Sequence, residues 1–125
     1  MNPRVAVFCG LFLTAPAFAL GALDGKTFQG VTADAAQGAD KAQRDEFSFV
    51  GGKFNSVFFS RLGYGAGSYT AMADDKNIRF EAQAVHRNGA KLKWSGIVRG
   101  QDIEGSVTVI DKDRGGRSWF KGRLK

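Results

Sequence analysis

The sequence predicts an all-β domain, a single eight-stranded antiparallel up-and-down barrel, following an N-terminal signal peptide. Three observations predict it. From Lys26 onward the apolar residues recur at every second position, the period of a strand and not of a helix. The apolar runs are separated by short glycine-bearing turns of the kind that join antiparallel neighbours. No long amphipathic helix fits between them. Composition agrees: 17 glycines, 11 phenylalanines and two prolines in 125 residues show neither a collagen period nor the Ala/Glu/Lys/Leu excess of long helices. A chain of this length has room for one domain.

The opening residues read as a leader. Met1-Asn2-Pro3-Arg4 carries a positive charge, Val5 to Leu13 is almost unbroken apolar sequence, and Ala17-Phe18-Ala19 has the small-x-small form of a peptidase site. Pro16 and that site argue against a membrane anchor. The expected organisation is residues 1–19 as signal peptide and 20–125 as the barrel domain, with cleavage near Ala19. The expected location is the periplasm or the exterior, and the mature form is expected to have no transmembrane span. Cleavage removes Cys9, the only cysteine, and Arg4, lowering the formal net charge from +6 to +5. The exported domain then has no disulfide, so its stability rests on its core.

Eight runs follow in order, at about 25–32, 45–50, 53–60, 67–73, 77–85, 90–99, 102–110 and 117–124. Phe47 and Phe49 alternate with Glu46 and Ser48, and Ile78, Phe80, Ala82 and Ala84 alternate with Arg79, Glu81 and Gln83. One face is apolar and the other polar, as in strands with a single buried side. Three turns fix the register. Gly51-Gly52 as a two-residue loop sets Phe49 opposite Phe54. Gly100-Gln101 as a turn with glycine first pairs Arg99 with Asp102, Val98 with Ile103, Gly96 with Gly105 and Trp94 with Val107. At Asn88-Gly89 a two-residue loop would mix the two faces. A three-residue loop Arg87-Asn88-Gly89 sets Ala84 opposite Leu92, Ala82 opposite Trp94 and Phe80 opposite Gly96. Residues 33–44 make a long polar connection with room for one helical turn near 39–43. The remaining linkers are Arg61 to Ala66 and Asp111 to Gly116.

Consecutive antiparallel strands with one apolar face remove their exposed edges by closing. With the start Leu23-Asp24-Gly25-Lys26 and a long loop after the first strand, the chain resembles the calycin-type barrels, the lipocalins and avidins. Thr27 and Phe28 stand where those families carry a tryptophan. The order Tyr69-Thr70-Ala71, Lys93-Trp94-x-Gly96 and Trp119-Phe120-Lys121-Gly122 also looks like that of small exported bacterial proteins of unassigned function. The resemblance implies a barrel and brings no residue-level ligand site.

No catalytic set is legible, and no cofactor is expected. His86 is the only histidine and reads as a turn residue; without cysteine or a second histidine it suggests no metal site. Asp74-Asp75 and Asp111-x-Asp113 fall in turns, where aspartate bonds its own backbone. Gly63-Tyr64-Gly65-Ala66-Gly67 lacks the Lys-Ser/Thr of a phosphate loop. Two non-enzymatic readings remain. In the first, small inward residues leave a cavity for one small apolar ligand, lined by Tyr69, Phe80, Trp94, Gly96 and Gly105, as eight-stranded barrels can hold one such ligand. In the second, the barrel is solid and meets a protein or an anionic envelope component through Tyr64 or through a basic C-terminal edge of Arg117, Trp119, Lys121 and Arg123. A sequence pI near 9.8 supports an anionic partner. Nucleic acid is not expected for an exported protein.

Overall fold

In the computed structural model, residues 21–111 and 115–125 are described. The leader, its cleavage position at Ala19 and the start of the domain at residue 20 lie outside them, as does Asp113. Eight strands close into one antiparallel barrel in sequence order. They are β1 (Thr27–Asp34), β2 (Gln43–Val50), β3 (Lys53–Ser56), β4 (Gly67–Asp74), β5 (Asn77–Val85), β6 (Lys91–Arg99), β7 (Asp102–Ile110) and β8 (Gly116–Leu124). β1 pairs with both β2 and β8. This closed eight-stranded antiparallel form is consistent with the general calycin-type class of barrels.

The register is the one that turn chemistry and alternation dictate. Phe49 faces Phe54 across Gly51-Gly52, both glycines having positive φ (59° and 79°). Gly96 faces Gly105, and Trp94 faces Val107. Phe80 faces Gly96, and Ala84 faces Leu92. The β5–β6 loop is Arg87-Asn88-Gly89, closed by the His86 N–H donating to the Ala90 carbonyl at 2.8 Å.

Three segments depart from the expected limits. The third run does not continue as a strand to residue 60: β3 ends at Ser56 and the chain turns into a short helix, α1 (Val57–Arg61). The Ser56 hydroxyl accepts the Phe59 N–H as an N-cap. This places Phe59 in the core and leaves Phe58, which a strand continued past Ser56 would turn inward, half-buried. β1 begins at Thr27, because residues 21–25 form turns, and β2 begins two residues early at Gln43. The long connection holds a single 3₁₀ turn, Ala39–Lys41.

The interior is filled by rings. Phe49 lies 4.9 Å from Phe54, 4.9 Å from Tyr69 and 5.1 Å from Phe80, centroid to centroid. Phe54 continues to Trp94 at 4.7 Å, and Trp94 to Phe59 at 5.3 Å and Phe120 at 5.5 Å. The mostly edge-on and tilted pairings suit the ring quadrupoles. The wall makes room for them with glycine. A Cβ on Gly96 would lie 2.6 Å from Phe80 Cε1 and 2.9 Å from Phe120 Cζ, closer than packed carbons allow. On Gly105 it would lie 2.8 Å from Phe120 Cζ and would run into the Ser95 carbonyl. Gly30 and Gly122 also face each other, on β1 and β8, but a Cβ on either would meet backbone of the neighbouring strand and not a ring.

Gly96→Val is therefore expected to destabilise the barrel by about 1–3 kcal/mol through overpacking. Gly105→Val should cost more, because its clash includes backbone that cannot rotate away. Thermal melts of both variants check this; two wild-type melts would mean that the rings do not occupy this space.

Candidate functional site

The residues expected to line a ligand cavity are brought together, but as core. Tyr69, Phe80 and Trp94 are 2–4% exposed and contact neighbouring rings over Gly96 and Gly105. Their surroundings are apolar side chains from every strand.

Both ends of the barrel are closed by segments that are not strands, and each closure depends on an aspartate. At the end where β1 starts, residues 21–25 fold across the opening and Leu23 is fully buried. The Tyr69 hydroxyl donates to Asp24 Oδ1 at 2.7 Å and accepts the Leu23 N–H at 3.1 Å. The Asp24 carboxylate also accepts the Gly52 N–H. Burial, reinforced by the Asp24 carboxylate, pushes the Tyr69 phenol up to about 12.

At the other end, α1 closes the opening over Asp45. This buried carboxylate points inward from β2. Oδ2 accepts the hydroxyls of Thr32 at 2.7 Å and Ser56 at 2.6 Å; Oδ1 accepts the N–H groups of Glu46 at 2.7 Å and Phe58 at 3.0 Å. One side chain thus ties β1, β3 and α1 together. Sequence reading missed it, although alternation with Phe47 and Phe49 puts residue 45 on the inward face.

His86 belongs to this closure. It is half-buried rather than a free turn residue. Its Nε2 lies 2.9 Å from the Leu62 carbonyl, while Nδ1 accepts the Asn88 N–H at 3.0 Å. That pairing requires the proton on Nε2. Tyr64, a contact candidate on its glycine loop, is half-buried and packs edge-on against His86 at 5.1 Å and Phe59 at 6.0 Å. Burial, with the Asp111 charge, raises its phenol above the usual value.

The remaining contact candidates lie on the outer wall. Arg117, Trp119, Lys121 and Arg123 all point outward from β8, but β8 is not an edge: it pairs with β7 and β1 along its length. Trp119 is half-buried, and Lys121 Nζ stands 5.8 Å above its ring. Arg123 reaches Asp102 at 3.4 Å. Further ion pairs join Arg79 to Asp74, Arg99 to Glu104 and Lys125 to Glu46. Of their acidic partners, Asp74, Asp102 and Glu104 stand toward the Leu23 end of the barrel, while Glu46 follows Asp45 on β2. Toward the α1 end, Lys91, Lys93 and Arg117 make no ion pair among the described residues.

No group of three or more His, Cys, Asp or Glu side chains is positioned for a metal among the described residues. No helix among them is long and apolar enough to cross a membrane. The wall itself is charged outside and apolar inside, the reverse of a membrane-spanning barrel. Comparison with protein-family models, curated proteins and solved structures finds no match for this chain.

Asp45→Ala leaves two hydroxyls and the Phe58 N–H without their acceptor, and is expected to cost about 2–3 kcal/mol. Amide exchange at Phe58 and Phe59 should accelerate more than exchange in β6 and β7; uniform acceleration would show that Asp45 does not hold α1 in particular.

Tyr69 gives a pH test. Its folded pKa lies above the unfolded value near 10, so its contribution to stability is complete below pH 10. It is lost as pH rises toward 12, where the unfolded chain ionises first. In denaturant titrations Tyr69→Phe should be less stable than wild type at pH 8, and the gap should narrow between pH 10 and 12. A gap that stays constant would refute the assignment.

Proposed function

We propose that the chain is an exported, non-enzymatic interaction module. On this reading it is released from its leader near Ala19 into the periplasm or the exterior. There it acts as a solid barrel whose outer wall contacts an anionic component of the cell envelope. The observation that carries the reading is the continuous run of ring contacts from Phe28 through Phe49, Phe54, Trp94 and Phe59 to Tyr64. These rings take up the volume in which a barrel carrier would hold its ligand, and both openings are covered. What remains for recognition is the surface, where cations outnumber acids.

The lipocalin-like alternative uses the same fold in the opposite way, with a small apolar ligand between Tyr69, Phe80 and Trp94. It requires those rings to give way, against the packing density usual in such interiors. Three measurements separate the readings. Protein purified without detergent should carry no lipid by native mass spectrometry, and Trp94 fluorescence should not respond to fatty acids. Retention on isolated envelope fragments should be salt-sensitive and should weaken on joint reversal of Arg117, Lys121 and Arg123 to glutamate. A co-purifying ligand would favour the carrier reading; retention insensitive to salt would remove the electrostatic one.

A further inference from the structure

Among the described residues, some cations of the wall are paired with acids and others are not, and three of the unpaired ones are neighbours. Arg79, Arg99, Arg123 and Lys125 are engaged by acids. Lys91, Lys93 and Arg117 stand together near the α1 end and make no ion pair among the described residues. Register places them: Lys91 lies between Val85 and Ile110, and Lys93 lies between Gln83 and Thr108, with Arg117 on the far side of Thr108. Neighbouring strands are about 4.8 Å apart and alternate residues on one face about 7 Å apart. All of these groups therefore share one patch roughly 15 Å across. Arg87, exposed in the β5–β6 loop, extends it toward the barrel end.

The same patch holds large aliphatic side chains in water. Val85 is 56% exposed and Ile110 46%, and they flank Lys91 on either side. Leu62, 53% exposed, is brought to the same rim by its carbonyl contact with His86. Among the described residues, the acids at its border are Glu81, one row down the wall, and Asp111, beyond Ile110. An anionic polymer would call for the cations alone. A lipid surface calls for both, since its headgroups attract Lys and Arg while aliphatic side chains enter the interface.

We propose that this rim docks the barrel onto an anionic phospholipid surface, with Lys91, Lys93 and Arg117 at the headgroups and Val85 and Ile110 in the interface. The assignment rests on the interaction-module reading and names its partner.

Sedimentation with vesicles of phosphatidylglycerol and phosphatidylcholine tests it. Full-length mature protein should bind mixed vesicles and not pure phosphatidylcholine, with binding lost as salt rises. Lys91→Glu with Lys93→Glu should weaken binding at least tenfold, as expected for cations at a charged surface. Lys53→Glu with Lys76→Glu, at the opposite end and equal in net charge, should weaken it far less. Val85→Ser with Ile110→Ser should weaken it without changing the melt. Equal effects of the two charge pairs would overturn the rim assignment. Salt-sensitive retention on envelope fragments with no vesicle binding would overturn the lipid assignment alone; absence of both would remove the interaction-module reading with it.

Discussion

An eight-stranded barrel of this size encloses a volume that side chains must fill, because a disulfide-free domain of about a hundred residues has little stability to set against a void. Here the filling is aromatic, and that choice governs the wall. The rings of Phe80 and Phe120 come so near the wall at two positions that a Cβ there would lie within 3 Å of them, so the wall lacks Cβ atoms at those positions. Gly96 and Gly105 meet that need, and neither has a positive φ, so they are glycine for space and not for backbone angle. Gly30 and Gly122 serve the backbone instead. A Cβ on Gly30 would run into the neighbouring Lys121 carbonyl, so glycine there permits the close approach of two backbones.

The ends follow from the middle. A ring-filled barrel still has two openings, and each is covered by a segment that cannot join the sheet ladder. Such segments leave N–H groups without partners. One aspartate at each end supplies acceptors: Asp24 for Gly52 N–H and the Tyr69 hydroxyl, Asp45 for Phe58 N–H and two further hydroxyls. Using carboxylates in this way has an electrostatic consequence. Acids committed to closures, and those committed to ion pairs near the Leu23 end, are not available to neutralise cations on the α1 half of the wall. The positive patch there is thus partly a result of how the barrel is closed.

Alternation and turn type made the register legible before any coordinates. A single wrong turn length moves every side chain of a strand to the other face. The three-residue loop at Asn88-Gly89 was therefore required by Phe80, Ala82 and Ala84 together, not by the loop residues. Helix α1 was not legible for the same kind of reason. Val57-Phe58-Phe59 has the β-branched and aromatic character of a strand, and what bends it into a helix is a capping serine and a carboxylate from β2, twelve residues earlier. Asp45 was legible in position but not in role, since parity says that it points inward and cannot say what it meets. The contact candidates on β8 were correctly placed outward. Closure pairs β8 with β1 as well as β7, a contact nearly a hundred residues long in sequence, so these side chains face outward from a continuous wall.

Closure also decides where an outward cation can remain unpaired. On an open sheet the last strand would expose all its basic residues together at one border. In the closed barrel each lies between two neighbours, and its fate depends on what register puts beside it. Arg123 falls beside Asp102 and is paired; Lys121 falls beside Glu104 and leans over Trp119; Arg117 falls beside Thr108, with Lys93 beyond it. Three outward cations on one strand thus acquire different surroundings from register alone. The positive surface runs around the barrel, across β6, β7 and β8 at one end, rather than along the C-terminal strand. A surface of that shape presents its charges side by side to whatever the barrel end approaches, and the solid interior behind it holds their spacing fixed.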